Sequence, residues 1–309
     1  MDLIMKTKLR RTLFSIVIFF IMLFNQANLF GQVNYVTGPT NAQINSMLQG
    51  TGLTISGGNL AAGNRNLQIA SYTNGISAGL DAANGMYFST GNAATDLSQR
   101  NQWPYTSNTP AGGVTYDDPD LTAINPNARF DALVYSFSVT LHPSTTALRI
   151  RYQFGSEEYP DWVGTPYDDT FGFFVSGPGI VGKFNMARLP NGNPTRINTV
   201  NSGVRGFQAS AYLNPIFVPS PLDFSQAAIY INNGHTTAID GQGLYLENTN
   251  PQPGPFPVFV EFNAITKLIT YDLKNLTPGA TYTFKIAIAD ASDEQRDCGV
   301  FIDEIKGVN

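Results

Sequence analysis

The chain has 309 residues, 13% of them charged, and its 18 Lys and Arg against 23 Asp and Glu leave a formal net charge of −5. An acidic, Lys-poor surface argues against nucleic acid and anionic membranes as partners, because both bind through positive charge. Cys298 is the one cysteine, which excludes an intramolecular disulfide, so stability has to come from the core, with or without a metal.

The N-terminus reads as an export signal. Lys6, Lys8, Arg10 and Arg11 precede an apolar run over residues 13–24, interrupted only by Ser15, and Asn25, Gln26 and Asn28 break it ahead of a cleavage point between Gly31 and Gln32. The run is short for a bilayer span, so residues 1–31 are expected to be removed, the alternative being an uncleaved anchor. Removal leaves 14 basic and 22 acidic residues in 32–309, a net charge of about −8.

After the signal, Thr40 is placed to cap a short helix in which Ile44, Met47 and Leu48 share a face and Gly50 marks the end. The apolar spacing then switches to period two. Leu133, Tyr135, Phe137 and Val139 alternate with polar or smaller residues, as do Leu148, Ile150, Tyr152 and Phe154, and Tyr282, Phe284, Ile286 and Ile288. Further strands are predicted over 53–55, 85–89, 171–175, 228–231, 258–262, 268–273 and 300–302, with Gly, Pro, Asn and Thr punctuating the turns. Residues 185–255 are rich in Asn, Gly and Pro and read as long loops of the kind that carry binding. The expected fold is all-β, an antiparallel, jelly-roll-like β-sandwich with long loops and one short N-terminal helix. Residues 32–309 are expected to form one domain, the alternative being two small ones joined near residue 190.

The densest chemistry lies between two predicted strands. Phe154-Gly-Ser-Glu-Glu-Tyr159 is followed by Asp168-Asp-Thr-Phe-Gly-Phe-Phe-Val-Ser-Gly-Pro-Gly179. Together with Met86-Tyr-Phe-Ser-Thr-Gly-Asn92 upstream and Thr277-Pro-Gly-Ala-Thr-Tyr282, Ile286-Ala-Ile-Ala-Asp290 and Gly299-Val-Phe-Ile302 downstream, these segments resemble the choice-of-anchor L domain of bacterial secreted and cell-surface proteins, often cargo of type IX secretion. The resemblance runs from about Tyr35 to Ile305. It implies an exported, surface-associated protein, and it supplies no catalytic residues. The chain stops at Asn309 without a recognisable sorting domain, hydrophobic tail or sorting pentapeptide, so the expectation is release or attachment through a partner.

Within the acidic loop, Gly155 and Pro160 allow the backbone to turn, so that Glu157, Glu158, Asp168 and Asp169 converge, joined by Asp290 from the end of the 282–289 strand. Six to eight carboxylate, carbonyl and water oxygens are what calcium takes. The other reading is solvated carboxylates capping turns, and for the second acidic group, Asp290, Asp293, Glu294, Asp297 and Asp303, ordinary turn chemistry. Tyr159, Trp162 and Tyr167, with Trp103 elsewhere, are candidates for a surface on which sugar rings stack, the alternative being that they fill the sandwich.

Catalytic signals are weak. His142 and His235 have no zinc-ligand spacing, and Cys298 reads as a semi-buried structural thiol. The leading expectation is therefore a non-enzymatic extracellular or cell-surface binding or adhesion protein, with calcium as cofactor and a glycan or protein as partner. Two alternatives remain: a polysaccharide hydrolase using Glu157 or Glu158 with Asp168, and a structural subunit of a surface assembly that takes a partner strand.

Overall fold

The computed structural model describes residues 31–103, 114–212 and 222–309. The predicted export segment, apart from Gly31, lies outside the described residues. In chain order the elements are β1 (Asn34–Thr37), α1 (Asn41–Leu48), β2 (Leu53–Ala62), α2 (Arg65–Gln68), β3 (Ile69–Thr73), β4 (Gly85–Ser89), α3 (Ala93–Ser98), α4 (Pro119–Thr122), β5 (Ala128–Leu141), β6 (Ala147–Ser156), β7 (Thr170–Ser176), β8 (Phe184–Asn185), β9 (Thr195–Arg196), β10 (Tyr230–Asn232), β11 (Ala264–Thr266), β12 (Ile269–Leu273), β13 (Thr281–Ala291) and β14 (Cys298–Val308).

The strands form two antiparallel sheets. One runs β1-β3-β4-β14-β6-β11-β10, with β12 also on β6, and the other β2-β5-β13-β7-β8, with β9 also on β7. Each sheet's inner side carries the period-two residues: Leu133, Tyr135, Phe137, Tyr282, Phe284, Ile286, Phe171 and Phe173 from one, and Ile150, Tyr152, Phe154, Phe88, Val300 and Ile302 from the other, all buried in one cluster. Rings bridge the layers, Tyr152 against Phe171 at 5.2 Å and Phe88 against Tyr135 at 6.3 Å. The result is a sandwich, as the alternation predicts, and neither sheet closes into a barrel.

The outer faces are partly covered, which accounts for two departures from expectation. Residues 258–262 form no strand. Val258, Val260 and Phe262 lie over Tyr87 and Phe301 on the outside of the first sheet. The backbone of this segment bonds to loops instead of a ladder, Phe259 N donating to Ala78 O and Glu261 N to Asp96 O. The second departure is helical: α2, α3 and α4 join the one expected helix. Each is one or two turns long and is nucleated by an Asx cap, Asn64, Asn92 and Asp118 accepting from the backbone two residues on. Such short turns leave no apolar periodicity to read. The expected helix is present as α1, with Thr40 and Gln43 forming a capping box.

Candidate functional site

One end of the sandwich gathers the ends of several strands. Cys298, at the start of β14, pairs with Ser156 at the end of β6, and Gly299 pairs with Ser89 at the end of β4. Ala289 of β13 pairs with Thr170 at the start of β7. The motif segments, distant in sequence, therefore meet in space. The loop joining β6 to β7 is folded inward, with Glu157, Glu158, Asp161, Asp168 and Asp169 all at most 2% exposed. A second layer seals it: Gly206 N donates to Val163 O, Gln208 N to Asp161 O and Asn198 Nδ2 to Thr165 O.

The β13–β5 pairing is irregular at this end, slipping register between Ile288 and Asp290 and again between Asp290 and Ala291. Asp131, on the β5 side of the slip, holds φ +43°, left-handed geometry that a non-glycine residue adopts only under constraint. Asp131 and Asp290 share the inward parity of Leu133 and Tyr135 and of Ile286 and Ile288, and the slip sets an extra residue of β5 against β13 at this point. Here Asp131 meets Asp290 at the end of β13 and Asp297, just before β14. One carboxylate oxygen from each lies within 4.8 Å of the others, and all three residues are buried. Asp290 also belongs to a second group, with Asp169 and Cys298, at the same spacing.

The hydrogen bonding is lopsided. Asp169 accepts from Ala291 N at 3.1 Å and from Ser156 Oγ at 3.3 Å. Asp168 accepts from Asn198 N at 2.8 Å and faces the Arg196 guanidinium at 3.4 Å. By contrast, among the described residues none donates a hydrogen bond of good geometry to either oxygen of Asp131, Asp290 or Glu158. Burial pushes the carboxyls of Glu158, Asp169 and Asp290 well above the usual carboxylate range, and neighbouring carboxylates add to the effect. Arg296 opposes the rise at Glu158, and the Thr90 hydroxyl opposes it at Asp290. Burial, aided by Glu294, takes Asp131 up to about 7. The Cys298 thiol is pushed up by burial and then by Asp169 and Asp290. A buried centre with this excess of negative charge stands either with protons on some carboxyls or with a bound cation.

Of the five residues expected to hold a metal, the structure brings Asp169 and Asp290 together. Asp168 turns away to Arg196, as alternation along an extended chain requires. Glu157 and Glu158 are buried nearby but belong to neither group of converging ligand atoms. Asp131 was not foreseen. The available signal was a lone carboxylate inside Phe130-Asp131-Ala132-Leu133, at the start of an apolar strand. Turn chemistry, the expectation for Asp297, describes its neighbour Asp293 better, since that side chain accepts from Gln295 N. Gly91 lies against Asp297, and a Cβ there would fall far inside van der Waals distance of Asp297 Oδ2. The Ser89-Thr90-Gly91 turn is thus the seat of an acidic side chain.

The aromatic candidates divide. Tyr159 is 1% exposed, packed edge-on against Tyr230 with its hydroxyl donating to Val200 O, so it presents no ring face to solvent. Trp162 and Tyr167 are half-buried at the rim, their rings 4.3 Å apart and inclined by 64°, and the Arg296 guanidinium lies 4.6 Å from the Trp162 ring. Trp103 is exposed but belongs to a different part of the surface chain, next to residues outside the described set. Among the described residues no helix is long and apolar enough to cross a membrane.

Compared with known proteins, the chain matches the family model described as Choice-of-anchor L domain over residues 33–305. No curated protein and no solved structure matches it.

Proposed function

The chain belongs to the Choice-of-anchor L domain family, whose members point to a secreted or cell-surface setting, and on that premise we propose that it is an exported, non-enzymatic binding protein that contacts a glycan or protein partner through the rim of the acidic end. The observation that carries this reading is the Trp162–Tyr167–Arg296 stack, half-exposed above a buried carboxylate centre. Flat rings held edge to face by a guanidinium are pre-organised, so little side-chain entropy is lost on contact with a sugar or peptide. Calcium in the acidic centre orders the loops beneath the rim by cancelling carboxylate repulsion.

A polysaccharide hydrolase is less well supported. Glu157 and Glu158 are at most 1% exposed, and Asp168 is held by Arg196 and Asn198. A polymer cannot reach carboxylates placed in this way without the sealing loops moving.

The test is binding of the exported form to a glycan array and to proteins of the producing cell's surface, with wild type beside Trp162→Ala. The expectation is at least a tenfold loss of affinity for the variant with its melting temperature little changed. Equal binding by both proteins would remove Trp162 from the contact surface. Turnover of a bound glycan that Glu158→Gln abolishes would overturn the non-enzymatic reading.

A further inference from the structure

We propose that a single calcium ion is bound by Asp131, Asp290 and Asp297, behind the acidic loop, and that it clasps the two sheets of the sandwich together. The proposal deepens the calcium clause of the functional reading, moving the ion from the 157–169 loop to the strands beneath it.

Three observations support this placement. The three carboxylates converge to within 4.8 Å and are at most 1% exposed. Asp131 has two oxygens to which no described residue donates, and it sits at the register slip with φ +43°. An unpaired carboxylate in a dry interior is strongly disfavoured, so one buried at an inward strand position needs a counter-charge to stay ionised. Arg196 pairs with Asp168, the neighbouring carboxylate of the loop.

The neighbouring group of Asp169, Asp290 and Cys298 fits less well. Both Asp169 oxygens already accept hydrogen bonds. Cys298 offers sulfur, a soft donor that suits a hard ion poorly. Oxygen-only donors select calcium or magnesium over softer metals. Magnesium demands near-octahedral geometry and dehydrates reluctantly, whereas calcium accepts irregular sets of mono- and bidentate carboxylates, so calcium is the ion proposed.

The clasp has a mechanical meaning. Asp131 and Asp290 belong to β5 and β13 of one sheet, while Asp297 immediately precedes β14 of the other. Asp297 O accepts from Glu157 N at 3.1 Å, and Ser292 Oγ donates to Pro166 O at 2.9 Å, so the 292–297 turn also holds the acidic loop. Arg296, one residue before Asp297, lies on Trp162. An ion that fixes Asp297 therefore fixes the rim.

The experiment uses metal-stripped full-length mature protein titrated with calcium chloride and, separately, magnesium chloride by calorimetry, with melting curves in calcium and in chelator. One calcium per chain is expected, with a rise of about 5 °C in melting temperature at saturation. Asp131→Asn is expected to bind calcium at least about tenfold more weakly and to lose the calcium-dependent rise. In chelator it should melt no lower than wild type, because it removes an uncompensated buried charge; this separates lost binding from lost folding. Wild type that neither binds nor is stabilised by calcium overturns the proposal in favour of shared protons. Tighter binding of magnesium overturns the choice of ion. Calcium binding that survives Asp131→Asn but is abolished by Asp169→Asn overturns the choice of ligands. Partner binding through Trp162 is scored separately, so its failure leaves the ion site standing, and the reverse.

Discussion

His235 offers a quantitative test of how this interior handles charge. It is 1% exposed, its Nδ1 2.7 Å from Thr236 O and its Nε2 2.7 Å from the Tyr230 hydroxyl. The neutral ring satisfies both contacts: Nδ1–H donates to the carbonyl and Nε2 accepts from the phenol. Burial pulls its pKa down from 6.5 to about 4, with the Thr236 carbonyl pulling the other way. In the unfolded chain the imidazole takes up a proton as the pH falls through 6.5, whereas the folded protein refuses it until about 4. The unfolded state thus binds more protons across that window, and stability falls as the pH is lowered through it. The full interval corresponds to about 3 kcal/mol, of which about 2 kcal/mol is lost between pH 7 and pH 5.

Urea unfolding of wild type and His235→Gln at both pH values, at fixed calcium, measures this difference. Asp96, which burial pushes up to about 7, works in the opposite sense. Its protonated form stabilises the fold at low pH, and that stability is lost as the pH rises to 7. Being common to both proteins, it cancels in the comparison. The wild type should lose about 2 kcal/mol more than the variant on going from pH 7 to pH 5. Equal losses, or an imidazole resonance that titrates near 6.5 in the folded protein, would refute the reasoning.

Other substitutions probe the acidic end. Gly91→Ala drives a methyl group into Asp297 Oδ2, and it is expected to cost about 1–3 kcal/mol in denaturant unfolding and to weaken calcium binding in the same calorimetric titration. Arg196→Met leaves Asp168 as a buried carboxylate without its guanidinium and frees the bond from Nη1 to Ile124 O; a loss of about 3–5 kcal/mol is expected. Asp168→Asn made in the same background should recover part of it, and no recovery would place the cost in packing. Phe284→Ala removes a ring lying 5.8 Å from Phe137 and 5.5 Å from Phe173, and it should cost about 3–5 kcal/mol by thermal or urea unfolding.

The legible parts of this protein are those written in local periodicity. Alternation at 133–139, 148–154 and 282–289 is enough to place β5, β6 and β13 with the correct inward faces, because period two has one consistent burial solution. The same alternation over 258–262 misleads, since an apolar run can cover the outside of a sheet as readily as join its ladder. The acidic loop was legible as a concentration of charge, yet its burial was not. That depends on residues 198–208 folding over it, and nothing local to Glu157 or Glu158 encodes a cover contributed some forty residues later.

From the residues alone follow the acidic balance, the absence of a disulfide, the family segments and the two-layer antiparallel architecture, each a property of composition or short-range pattern. Which carboxylates meet is a different kind of fact. Asp131, Asp290 and Asp297 come from β5, β13 and the residue before β14, and they converge where the β5–β13 register slips and Asp131 takes a left-handed backbone. Register slips arise from pairing between strands more than a hundred residues apart, so the tertiary structure alone decides that the charge centre lies between the sheets rather than in the loop where the sequence concentrates its acids.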